Sequence, residues 1–134
     1  MSSIVPDKNQ FKALLRLPKD KPVAMLNLLK FKETADGGRE TGSEAYARYM
    51  QNIAPLIARA GGRVLWMGDA RALYIGVAGQ DDWDRVLIVE YPTPRAFMQM
   101  NTSTDYQAIH HDREAGLERT VLLVTETLPV AGGA

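Results

Sequence analysis

An α+β fold is predicted, in which strand, helix, strand, strand, helix and strand follow one another behind a short helical arm. Three observations carry it. Apolar stretches with strand character stand at 23–31, 63–77, 85–91 and 119–127. Two helical patterns separate the first strand from the second and the third from the fourth. Turn residues alone join the middle two. Two strand-helix-strand crossovers linked by a hairpin make the split βαβ, or ferredoxin-like, arrangement, with a four-stranded antiparallel sheet.

The elements follow in order. Asp7 is placed to cap a helix through about Leu15, with Phe11, Leu14 and Leu15 as its apolar stripe. Pro18 and Pro22 flank a charged turn that leads into "VAMLNLLKF", Val23 to Phe31. "KETADGGRETGS" reads as a polar, mobile loop. A helix then starts at Ser43 and Glu44, with Tyr46, Met50, Ile53, Ile57 and Ala60 on one face. Pro55 predicts a kink inside it, and Gly61-Gly62 a left-handed stop. Strand character runs over Arg63 to Met67 and again over Arg71 to Val77, with a bulge or bend at Gly68-Asp69. "RVLIVEY", Arg85 to Tyr91, is the third strand. Thr93 caps "PRAFMQMN" with Pro94 at the first helical position. A break at Thr102-Ser103 precedes a second helical piece from about Thr104 to Leu117, and the last strand covers Arg119 to Thr127.

The chain thus divides into a helical arm at 1–21, one ferredoxin-like domain at 22–128 and a disordered tail at 129–134. Its 134 residues allow a single modest core. Sixteen basic residues balance sixteen acidic ones with no block of like charge, so the basic footprint of nucleic-acid binding is missing. Without cysteine there are no disulfides, thiolate chemistry or cysteine-held metals. "MSSIVPDKNQ" carries no secretory pattern and no apolar run reaches membrane-spanning length, so a cytoplasmic protein without membrane partners is expected.

The sheet strands are apolar on both faces. In the first strand Val23, Met25, Leu29 and Phe31 lie with Asn27, while Ala24, Leu26 and Leu28 lie opposite. One layer of helices covers one face only, so a homodimer built through the other face is expected.

Polar residues inside these apolar strands mark the candidate site. Burying the Asn27 amide unpaired costs about 1–3 kcal/mol, so it either bonds neighbouring backbone or holds a substrate oxygen. Glu90 shares its face with Val86 and Ile88. If those two point inward, Glu90 is a buried carboxylate, either ion-paired (Arg113 is a candidate) or a general base with a raised pKa. Tyr106, Ile109, His110, Arg113 and Leu117 form one helical stripe, which turns His110 towards the core. His111 lies about 100° round the helix. Tyr46, Tyr106 and Trp66 are apolar bodies with polar tips, suited to core packing or to a substrate wall. The catalytic candidates are therefore Glu90, His111 and His110, and the substrate-binding ones Asn27, Tyr46, Tyr106, Arg113 and Trp66. No metal site is expected, since His110 and Glu114 offer two ligands at most. No phosphate loop, dinucleotide fingerprint or serine-nucleophile motif is present, and no cofactor is expected.

"MLNLLKF", "AYARYMQNIAPLIARAGGRVLWMG", "DRVLIVEYPTPRAF" and "YQAIHHDREAGL" together resemble the domain-of-unknown-function family 1330. That family is similar to the dimeric α/β-barrel superfamily, which includes small cofactor-independent monooxygenases, muconolactone isomerase and haem-degrading enzymes. The resemblance implies a ferredoxin-like dimer with a pocket between sheet and helices. It also points to His111 over His110. It implies no single chemistry. A cofactor-independent isomerase or oxygenase for a small aromatic or carbonyl metabolite is one expectation, and a non-catalytic binding or structural module is the other.

Overall fold

The computed structural model describes residues 5–131. The outermost part of the expected tail, 132–134, and the first four residues of the arm lie outside them. Helix α1, Lys8–Leu15, starts in a capping box: the Asp7 carboxylate accepts from Gln10 N and the Gln10 side chain accepts from Asp7 N, both at 2.8 Å. Strand β1, Val23–Phe31, follows. Helix α2, Gly42–Arg59, opens with a second capping box, Thr41 with Glu44, so it begins just ahead of Ser43. It runs through Pro55 as one helix and ends where Gly61 turns to φ 79°.

Strand β2, Arg63–Asp69, and strand β3, Arg85–Tyr91, lead to helix α3, Pro94–Asn101, which Thr93 caps. The short helices α4, Thr104–Gln107, and α5, His111–Gly116, precede strand β4, Leu117–Thr125. The four strands lie in the order β2-β3-β1-β4 with every neighbouring pair antiparallel, the ferredoxin-like sheet.

Four local expectations need correction. The predicted strand at Arg71 to Val77 is absent, and 70–84 form an irregular connection. The β2–β3 ladder closes at Asp69↔Arg85, which leaves no strand for those residues to pair with. Asp81 instead accepts from Val77 N at 2.8 Å, and Gly79 turns the chain at φ 83°. The register break falls between Val64 and Trp66 rather than at Gly68-Asp69. The polar segment before α2 has defined structure, with an Ala35↔Glu40 bridge around a short 3₁₀ turn and Ala35 buried. Finally, the helix expected over 104–117 is interrupted at 108–110.

Register decides what each face carries. Asn27 stands opposite Leu87 on β3 and Leu122 on β4, and Met25 opposite Val89 and Val124. These residues share the face on which the helices lie, because Met25, Leu29, Leu87, Val89 and Tyr91 form one buried cluster with Tyr46, Tyr49, Ile53 and Ile57 of α2. The opposite face carries Leu26, Leu28, Val86 and Ile88 half-buried, with Trp66 and Leu123 exposed. The 70–84 connection reaches its edge. There Arg119 donates to Gln80 O and Asp82 O at 2.8 and 2.6 Å and stacks on Trp83 at 4.5 Å. No helix of the described residues is long and apolar enough to cross a membrane.

Candidate functional site

Between the sheet and its helices lies a cavity of about 850 Å³, within the range of small-molecule sites. The strands supply its floor, with Met25, Asn27, Leu87 and Thr120. The walls are Tyr46 and Tyr49 of α2, Phe97 and Met98 of α3, and Tyr106, His110 and Arg113 from the α4–α5 region. Helix α1 closes one side with Phe11 and Leu14, which explains why its apolar stripe is not buried in the core.

The polar groups are tightly ordered. Asn27 Nδ2 donates to Met25 O at 3.1 Å and Leu87 O at 3.3 Å. Thr120 Oγ1 donates to Leu28 O at 2.8 Å. The Tyr49 and Tyr106 hydroxyls share a bond of 3.0 Å, and their rings meet edge to face. His110 stacks on Tyr106, and its Nδ1 lies 2.6 Å from the Glu114 carboxylate. Burial pushes the Tyr46 phenol up to about 12, against the opposing pull of the Arg113 charge. Burial likewise holds the Tyr49 phenol well above its ordinary value, reinforced by Tyr106. These phenols are neutral hydrogen-bonding groups at physiological pH.

One wall is braced from outside. Arg48 makes a bidentate pair with Asp112 at 3.0 and 2.9 Å and a second with Glu40 at 2.9 and 2.7 Å. That joins the segment before α2 to α5, and Arg48 holds both carboxyls below their ordinary range.

The family model for Domain of unknown function (DUF1330) matches residues 39–127, which covers α2 to the end of the sheet. The chain belongs to the DUF1330 family. A protein of unknown function from Rhodopseudomonas palustris is similar to this DUF1330 chain at 33% identity, with a TM-score of 0.88 over 97% of this chain and 100% of that one. Two more distant structures share the fold. A dimeric ferredoxin-like protein of unknown function from Bacteroides fragilis superposes with a TM-score of 0.54 at 12% identity, covering 82% and 100% of the two chains. SnoaB, a cofactor-independent oxygenase from Streptomyces nogalater, does so with 0.55 at 12%, covering 82% and 96%. No curated protein matches the chain.

Of the residues singled out in the DUF1330 sequence, the cavity brings together Asn27, Tyr46, Tyr106, His110 and Arg113. It does not include Glu90, His111 or Trp66. Glu90 does share its face with Val86 and Ile88, but that is the helix-free face. Its carboxylate accepts from Arg63 Nε at 3.3 Å, so the cation beside it comes from β2. His111 is solvent-facing, with its side chain 71% exposed and Nε2 3.7 Å from Asp112. Trp66 pairs with Ile88 across the bulge and is 54% exposed on the helix-free side. Tyr49, Tyr91 and Thr120 are cavity residues that sequence reasoning missed as a site. Tyr91 comes to the cavity with Leu87 and Val89 of the same β3 parity, Tyr49 from α2 and Thr120 from β4. Among the described residues no group of three or more His, Cys, Asp or Glu could hold a metal ion.

Proposed function

We propose that this DUF1330 chain is a homodimer in which each subunit holds a small aromatic or carbonyl-containing metabolite between sheet and helices. The cavity of about 850 Å³, walled by aromatic and Met side chains with Asn27, His110 and Arg113 on its lining, is the observation that carries this reading. The subunits associate through the helix-free face, whose half-buried Leu26, Leu28, Val86 and Ile88 carry no helical layer among the described residues. A dimeric protein of the same fold supports that assembly.

Turnover, in this reading, is isomerisation or oxygenation without a bound cofactor, as the shared fold of a cofactor-independent oxygenase suggests. His110 is the proton-transfer group. Glu114 holds Nδ1, which leaves Nε2 as the exchanging nitrogen. Tyr106 and Arg113 position the substrate. Glu90, set aside from the cavity with Arg63, serves the dimer face. That same displacement favours a second reading, a non-catalytic binding module, because it takes the strand carboxylate away from the ligand.

Native mass spectrometry of gently purified protein tests the proposal. A mass of two chains with a co-purifying small molecule supports it. A monomer without ligand, unchanged at high concentration, overturns it. Ligand that is released unaltered after incubation in air, from wild type and His110→Gln alike, favours the binding module.

A further inference from the structure

The sheet floor of the cavity has a one-sided hydrogen-bonding character. An Asn side chain brings two N–H donors and an acceptor oxygen. Asn27 directs Nδ2 at two backbone carbonyls, Met25 O and Leu87 O. The reverse orientation would set the amide oxygen against both carbonyl oxygens, so the donor end is fixed there and Oδ1 is the end left for a ligand. Thr120 repeats the pattern. Its single hydroxyl hydrogen goes to Leu28 O, which leaves only oxygen lone pairs. Both side chains lie on the helix face of neighbouring strands, Asn27 on β1 and Thr120 on β4 opposite Leu29, and both line the cavity.

Resting on the small-molecule reading above, we infer that the ligand is a neutral hydroxylated aromatic compound whose O–H donates to this acceptor-only floor. A carbonyl or ether oxygen placed there would meet lone pairs alone. A phenolate would be repelled by them, and an ammonium would give up its hydration to a floor of Met25, Asn27, Leu87 and Thr120 that offers no charged partner. The ring fits the aromatic wall of Tyr46, Tyr49 and Phe97. The role first expected for Asn27, donation to a substrate oxygen, is thereby reversed.

Fluorescence titration with 2-naphthol and 2-methoxynaphthalene at neutral pH is the test. The two probes share a ring and an acceptor oxygen and differ in the donor hydrogen. The naphthol is expected to bind about tenfold more tightly to wild type, equivalent to about 1.4 kcal/mol. In Asn27→Leu with Thr120→Val the preference falls to about one, while the ether keeps its affinity within about threefold. Should the double variant fail to fold, the side-chain NH₂ resonances of Asn27 in wild type decide. They shift with saturating naphthol and stay in place with the ether. Equal affinities for the two probes in wild type, or an unmoved Asn27 amide with naphthol bound, overturn the inference and leave the small-molecule reading standing. Failure of both probes to bind at millimolar concentration overturns the two together.

Discussion

Tyr46, Tyr49 and Tyr91 line the cavity as neutral phenols, because burial resists their ionisation. An acid whose folded pKa is raised leaves stability unchanged below its unfolded value, near 10, and lowers it above, where only the unfolded chain ionises. Unfolding free energy is therefore expected to fall from about pH 10 to about 12 as Tyr46 follows this course. Urea titrations across that range check it, and Tyr46→Phe should flatten the slope. Asp112 behaves in the opposite sense. Arg48 holds its carboxyl below the ordinary range, so its contribution is present at neutral pH and is lost as pH falls below about 4 towards the lowered folded value. Asp112→Asn should lower Tm at pH 7 and leave it nearly unchanged at the acid end, as differential scanning calorimetry would show. For the tyrosine pair, Tyr49→Phe takes from Tyr106 the hydroxyl it bonds at 3.0 Å and is expected to cost about 1–3 kcal/mol. The double Phe variant should cost less than the two single changes summed, a coupling that a double-mutant cycle measures.

At the scale of elements, the start of α2 is pressed against the end of α5. Gly42 N donates to Lys32 O at 3.0 Å, and Lys32 N donates to Gly116 O at 2.8 Å. A Cβ on Gly42 would meet the backbone oxygens of Lys32 and Gly116, and backbone cannot swing aside as a side chain can. Gly42→Ala is expected to destabilise by about 1–3 kcal/mol or to shift α5, with chemical denaturation as the readout. Element boundaries were legible where a local cap was read in the chain. Asp7 with Gln10 and Thr93 with Pro94 mark helix starts through bonds made within a few residues, while the Thr41–Glu44 box sets the start of α2 ahead of the expected Ser43. The segment at 71–77 was misleading for the converse reason. A β-branched, apolar run has strand character in isolation, but a strand exists only where a ladder partner is available. None is there, and Tyr74 stands 96% exposed.

For the whole molecule, the helix-free face is the largest consequence of the topology. Ile88 lies near its middle, between Leu26 on β1 and Trp66 on β2. Ile88→Lys, in the proposed dimer, places a charge in a buried interface and should halve the mass seen by analytical ultracentrifugation. Far-UV circular dichroism should be unaltered, since that side chain does not belong to the buried cluster on the helix side. The same change has no direct contact with the cavity, so naphthol affinity reports whether assembly and binding are separable.

Sequence by itself determined the order of elements, the antiparallel four-stranded sheet and the shared face of Asn27, Met25 and Leu29, because period and capping are local properties of the chain. The stripe of Tyr106, His110 and Arg113 leaned His110 towards the core while the family resemblance pointed to His111, and the turn at 108–110 that orients the two is a product of the fold. Only the tertiary structure decided which face of β3 looks towards the helices. Both alternations of that strand are apolar enough to be buried, and strand period cannot say where the helices lie. That one binary choice moved Glu90 out of the cavity and brought Tyr91 in. The direction of the Asn27 amide was decided in the same way, by two carbonyls that β1 and β3 bring together only when the sheet has formed.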